Sequence, residues 1–215
     1  MRVLSILSRK GGAGKTTLTL HLAVAAQQSG LRVLVMDSDP QASALSWYGK
    51  RDDGMPHIIK VCTTKIPKAM RASRDYGIDL VLMDTPPHTR QVASVAAQNS
   101  DLVLIPTRPS ILDIESIGGT VELVKAAGRP AVIVLNACPT NSPVVGEARE
   151  VLAGYGVPVA PMSIGNRMAF QHALNSGHAV SEFEPASKAT AELFALWQWI
   201  SWMLSLSGDL TKAVA

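Results

Sequence analysis

The sequence predicts an α/β fold in which a mainly parallel, twisted sheet carries helices on both faces. Three observations point to it. Short runs rich in Val, Ile and Leu alternate with helical patterns along most of the chain. These runs are continuously apolar, as strands buried on both faces are. The composition is that of a folded chain: 215 residues, 47% hydrophobic and 17% charged, enough for one core and far from a disordered balance. No repeat, low-complexity tract or long linker divides the chain, so residues 1–215 are read as a single domain.

The first strand, residues 3–7, runs into a glycine-rich stretch, and residues 16–28 then take helical spacing that closes at Gly30. A second strand, 32–36, ends on Asp37-Ser38-Asp39-Pro40-Gln41. Lys65, Lys68, Arg71 and Arg74 recur every third residue, spacing that lets them share a helix face, and Pro67 limits how far upstream that helix begins. Strand 80–83 ends on Asp84-Thr85-Pro86-Pro87, and helix 91–98 leads to strand 102–105. Helix 114–127 closes at Gly128, followed by strand 131–135, helix 143–153 and a weaker strand at 157–159. Leu193, Leu196, Trp197, Ile200, Met203 and Leu204 form the stripe of a last helix, about 188–206. It carries no Lys or Arg between Ala189 and Thr211, so it lacks the cationic face that binds anionic lipid and is expected to dock on the domain.

Bulk features narrow the class. The formal net charge is +3, mildly basic and compatible with a polyanionic partner. Cys62 and Cys138 stand apart from each other and from histidine clusters, which excludes a zinc-type ligand pattern and a disulfide framework. A reducing cytoplasm is the expected compartment. The apolar run at the N-terminus is too short for a signal peptide or a membrane span.

The chemistry is carried by Ser8-Arg9-Lys10-Gly11-Gly12-Ala13-Gly14-Lys15-Thr16-Thr17, which follows one strand and opens one helix. That context makes a glycine-rich string a phosphate cradle. Glycines at 11, 12 and 14 let successive N–H groups converge, and the helix adds its positive end. Lys15 is expected on the β- and γ-phosphates and Thr16 on Mg²⁺. Asp37 and Asp39, at i and i+2, are expected to point the same way into the crevice at the C-terminal edge of the sheet. One would support the metal shell and the other orient the attacking water. Asp84 stands where a Walker B carboxylate completes that shell through water.

The first loop position is Arg9 rather than glycine, and Lys10 precedes the glycine pair. The string therefore resembles the deviant Walker A loop, K-G-G-x-G-K-[ST]-T, of the ParA/MinD superfamily of P-loop NTPases. That superfamily holds ParA partition ATPases, Min-type site selectors, the nitrogenase iron protein and the arsenite-pump ATPase. Asp-Ser-Asp-Pro-Gln and Asp-Thr-Pro-Pro resemble the ParA versions of the second and third nucleotide motifs. The stretch from Ser100 to Ser110 with Asp113, then Asn166-Arg167-Met168-Ala169-Phe170 and Gly177-His178-Ala179-Val180, extend the likeness over most of residues 1–190.

The resemblance implies ATP or ADP with Mg²⁺ as ligands, held by residues 10–17, with Asn136 at the adenine. It implies Thr16, Asp37 and Asp84 around the metal, and Lys10, Lys15 and Asp39 in catalysis, with Asp39 activating water. Lys10 would reach across an ATP-sandwich homodimer to the partner's nucleotide. The loop after Asp84 departs from the family by lacking a glycine, and offers His88 or Arg90 for a phosphate or partner contact, or for none.

Among family outputs, an iron–sulfur carrier needs cysteines that this chain does not place, and a duplicated pump needs a longer chain. The short plasmid-type ParA class, without an N-terminal DNA reader, fits best. It implies a cytoplasmic, nucleoid-associated ATPase that partitions or positions cargo. Its dimer binds double-stranded DNA without sequence preference, and a separate ParB-like adaptor stimulates slow hydrolysis. Candidate DNA contacts are Lys65, Lys68, Arg71 and Arg74, or Arg167 with Lys188. The alternatives are a Min-type membrane-associated ATPase and a nucleotide-switched scaffold.

Overall fold

The computed structural model describes residues 1–87 and 89–205. His88 and the chain from Leu206 onward, including the end of the expected last helix, lie outside the described residues. Among the described residues seven strands form one sheet: β1 (Arg2–Ile6), β2 (Val33–Asp37), β3 (His57–Lys60), β4 (Leu80–Asp84), β5 (Leu102–Thr107), β6 (Ala131–Cys138) and β7 (Val159–Gly165). Their order is β3-β2-β4-β1-β5-β6-β7, and every pairing is parallel. The central strand is therefore the one that leads into the glycine-rich loop.

Residues along each strand alternate between two cores. Leu4, Ile6, Val35, Leu82, Leu104 and Val134 pack beneath α1 (Lys15–Gln28), α2 (Ser43–Tyr48), α8 (Met168–Asn175), α9 (Val180–Phe183) and α10 (Lys188–Met203). Val3, Met36, Met83, Ile105 and Leu135 pack on the opposite face. There they meet α3 (Ile66–Asp75), α4 (Arg90–Gln98), α5 (Ile111–Ser116), α6 (Gly118–Ala126) and α7 (Val144–Ala153). Burial on both faces explains why the inner strands read as unbroken apolar runs.

Several expectations need correction. The helix expected over 114–127 is two, breaking at Ile117 before the Gly118–Gly119 pair. The weak strand at 157–159 lies instead at Val159–Gly165. The edge strand β3 and the short helices α2, α8 and α9 have no counterpart in the sequence reading. In β3 only Ile58 is buried, so the strand carries no apolar run to find. The last helix docks as expected: Leu193, Leu196, Trp197, Ile200 and Leu204 are buried, Met203 packs partly, and Trp197 Nε1 donates to Ser29 Oγ at 2.8 Å.

Candidate functional site

The loop between β1 and α1 is shaped by backbone that only glycine adopts cheaply. Gly12 has φ 76° and Gly14 φ 90°. A Cβ on Gly14 would run into the amide of Asn136, which enters from the end of β6 and donates from Nδ2 to Ala13 O at 2.8 Å. Asn136 thus props the loop from a strand two places away in the sheet.

Lys15 opens α1 and is buried, with Nζ donating to Lys10 O at 3.3 Å. Burial pulls its pKa below the ordinary lysine value, against the opposing pull of the Asp84 and Asp39 carboxylates. Thr16 Oγ1 donates to Asp84 Oδ2 at 2.7 Å. The other carboxylate oxygen, Oδ1, is buried without a hydrogen-bond partner. Burial lifts Asp84 to about 7, with a smaller push from Asp37 and Asp39 and opposition from the Thr16 bond and Lys15. An orphaned oxygen beside a hydroxyl at the mouth of a phosphate loop fits a small hard cation.

Asp37 and Asp39 do not act as a pair on one strand face. β2 ends at Asp37, so the alternation of a strand does not extend to residue 39. Asp37 is fully buried and accepts from Asp39 N at 3.0 Å and Leu45 N at 3.2 Å. Its pKa is raised, burial outweighing those bonds. Asp39 stands half-buried on the loop and accepts from Gln41 N at 2.9 Å. Asp37 thereby fixes the loop that presents Asp39. Among the described residues no three acidic, His or Cys side chains converge into a metal cage. Mg²⁺ here would be completed by phosphate oxygens and water, as that ion prefers.

Beside the loop lies a cavity of about 290 Å³ lined by Gly12, Gly14, Thr17, Arg108, Asn136 and Phe170 among others. Arg167 is on its rim, but its guanidinium is held by Glu192, at 2.5 Å from Nη2 and 3.1 Å from Nε. Lys188 is exposed at the start of α10. Lys65, Lys68, Arg71 and Arg74 are all exposed, on α3 and the turn before it. Arg90 is exposed at the start of α4, while His88 lies outside the described residues.

Two contributors carry no role in the sequence reading. Asp113 pairs with Lys10 at 2.7 Å, while Phe170 walls the cavity and stacks edge-on against buried His21 at 5.0 Å. Ser110-x-x-Asp113 matches a helix-capping pattern that does announce α5. Nothing local announces its lysine partner.

Comparison with known proteins agrees with this geometry. The family profile "CobQ/CobB/MinD/ParA nucleotide binding domain" matches residues 4–180. The chain is 31% identical over 198 residues to "Maintenance of carboxysome distribution protein A" of Gloeobacter kilaueensis, covering 89% of each protein. It is 30% identical over 167 residues to "Chromosome-partitioning ATPase Soj" of Thermus thermophilus, covering 63% of this chain and 67% of the relative. The solved structure of septum site-determining protein MinD from Pyrococcus horikoshii with Mg-ADP aligns at TM-score 0.81 and 22% identity, over 98% of this chain and 99% of that one. That last likeness speaks to the fold.

Proposed function

This chain belongs to the CobQ/CobB/MinD/ParA nucleotide-binding domain family, and from that membership we propose that it is a dimerising, Mg²⁺-dependent ATPase that partitions or positions cargo by nucleotide-controlled, non-specific binding to double-stranded DNA. The observation that carries the ATPase reading is the Thr16–Asp84 bond at the mouth of the phosphate loop, with the second Asp84 oxygen buried and unpartnered. The relatives favour positioning as the output: one is named for carboxysome distribution, another as a chromosome-partitioning ATPase.

The residues divide the work. The backbone of 11–14 and the N-terminus of α1 receive the phosphates, and Lys15 adds a charge on the β- and γ-phosphates. The cavity lined by Gly14 and Asn136 would take the nucleoside, with Asn136 as the residue for the adenine. Thr16 and Asp84 would hold the cation, Asp37 would steady the shell through the loop it caps, and Asp39 would orient the attacking water. Bound Mg²⁺ would supply charge neutralisation on the phosphates. Lys10 leaves its own subunit to meet the partner's nucleotide in an ATP-sandwich dimer. A ParB-like adaptor stimulates hydrolysis, and the dimer sits on the nucleoid.

Docking of α10 speaks against the Min-type membrane reading, because its apolar stripe is spent on the core. Among the described residues no helix is long and apolar enough to cross a membrane. The test is binding of the Asp39→Ala variant to random-sequence duplex DNA with ATP or ADP over a salt series, with sedimentation run alongside. ATP-dependent dimers that bind DNA and release it as salt rises are the expected result. Dimers that ignore DNA in every condition would end the DNA reading and leave the nucleotide switch.

A further inference from the structure

The net charge of this chain is concentrated in one segment. Between residues 65 and 75 four bases face a single acid, Asp75, and this excess equals the +3 of the whole chain, so the remaining sequence carries as many acids as bases. Lys65, Lys68, Arg71 and Arg74 are all exposed, and none appears in the ion pairs found among the described residues. Lys60, exposed at the end of β3, adds a fifth cation.

The helix that carries them turns its apolar side inward. Ile66 and Met70 are buried in the core, and Ser73 closes the same face. At about 100° per residue Lys68 and Arg71 stand opposite that face, with Lys65 and Arg74 flanking them. The stripe is about 13 Å long at about 1.5 Å per residue, close to the rise of four base pairs.

We propose that the face formed by Lys65, Lys68, Arg71 and Arg74 is the surface that grips the phosphate backbone of duplex DNA, a proposal that rests on the function given above. Long, flexible cations spaced along a rail suit repeated phosphates. α3 presents Lys and Arg with no acidic partner among the ion pairs of the described residues, the residue types that contact phosphates whatever the sequence. Within α3 no exposed residue is large and apolar, and a single exposed aromatic, Tyr76, follows at its C-terminal cap. The competing pair is weaker, since Arg167 is held by Glu192 and only Lys188 remains beside it.

The segment before this surface also adjoins the end of β2 and the loop after it. Lys60 Nζ donates to Pro40 O at 3.3 Å, and Val61 N to Asp37 O at 2.9 Å. The segment that leads into α3 is therefore tied to Asp37 at the end of β2 and to the loop that carries Asp39.

The test compares proteins in the Asp39→Ala background with ATP: the parent, K68E/R71E, K188E, and K125E/R129E as a control of equal charge change. K68Q/R71Q, which only neutralises, guards against a folding defect, and thermal melting and sedimentation confirm fold and dimer in each. The expected result is a loss of roughly ten- to a hundredfold in duplex affinity for K68E/R71E, a smaller loss for K68Q/R71Q, and a salt slope shallower by about two. K188E and K125E/R129E stay within about threefold. If the parent binds DNA and K68E/R71E and K68Q/R71Q bind equally well, this surface is wrong while the DNA function stands. If the dimeric parent binds no DNA, both fall. If K68E/R71E instead loses binding only to anionic vesicles, the surface is a lipid contact and the DNA assignment is overturned.

Discussion

Lys10 Nζ lies 2.7 Å from Asp113 Oδ1, an ion pair that joins the start of the phosphate loop to the first turn of α5. Asp113 also accepts from Ser110 and is itself largely covered. Burial pushes the Asp113 carboxyl up, but the Lys10 and Ser110 bonds outweigh it and hold the group below its ordinary value. The lysine assigned to a partner's nucleotide is thus occupied within its own subunit.

A pair of this kind, with its lysine partly exposed, contributes about 1 kcal/mol or less, weak enough to exchange for a phosphate. Asp113→Asn in the Asp39→Ala background is expected to strengthen ATP-dependent dimerisation by up to about fivefold, read by sedimentation across protein concentration. Lys10→Ala is expected to keep monomeric nucleotide binding and lose the dimer. A D113N protein that dimerises no better than its parent would show that the pair does not compete.

Two buried groups pull the pH dependence of stability in opposite directions. Asp84, lifted to about 7 by burial, binds more protons folded than unfolded, so it lowers stability as pH rises from about 4 to about 7. His21, depressed to about 4 by burial, with Nδ1 accepting from Val180 N at 3.0 Å, binds fewer protons folded than unfolded. Its contribution rises as pH climbs from about 4 to 6.5 and is lost on acidification. Each effect is on the order of 3 to 4 kcal/mol at full extent. Urea unfolding of metal-free protein is expected to show partial cancellation in the parent. D84N should gain stability more steeply with pH across this window, and H21N should lose it. Parallel curves for all three proteins would refute both assignments.

The same carboxyl predicts how Mg²⁺ binds. Protons compete with the cation at Asp84, so calorimetric Mg²⁺ affinity of the ADP complex is expected to rise with pH up to about 7 and then level. In D84N the affinity should be weak and flat.

Gly14 and Asn136 are packed so closely that one constrains the other. Gly14→Ala places a Cβ at φ 90° and against the Asn136 amide. It is expected to cost roughly 1 to 3 kcal/mol of stability and at least about tenfold in nucleotide affinity. The double variant with Asn136→Ala should cost less than the sum of the two, because the clash is shared. Additive losses would mean that the backbone angle alone matters.

Trp197 tests the docking of α10. Its ring is 1% exposed and its N–H is bonded to Ser29. Trp197→Ala is expected to cost about 3 to 5 kcal/mol and Trp197→Phe about 1 kcal/mol or more. Trp202, 67% exposed on the same helix, should be replaceable by Ala within about 0.5 kcal/mol and with no change in liposome co-sedimentation. Lipid binding that depends on Trp202 would restore the membrane reading.

Sequence alone determined what is local in this protein. Burial of both sheet faces wrote itself into unbroken runs such as Val33-Leu34-Val35-Met36, and the loop from Lys10 to Thr17 announced its chemistry because phosphate binding uses consecutive backbone groups. Positive φ at Gly30 and Gly128 bears out the helix ends read there. Edge strand β3 stayed hidden because an edge needs few apolar residues. Tertiary structure decided what joins distant segments: Asp113 on Lys10, Asn136 under Ala13, Glu192 on Arg167, and Asp37 turned to cap its own loop. Such pairings depend on which strand ends and loops the sheet order brings side by side, and periodicity along one segment carries no record of that order.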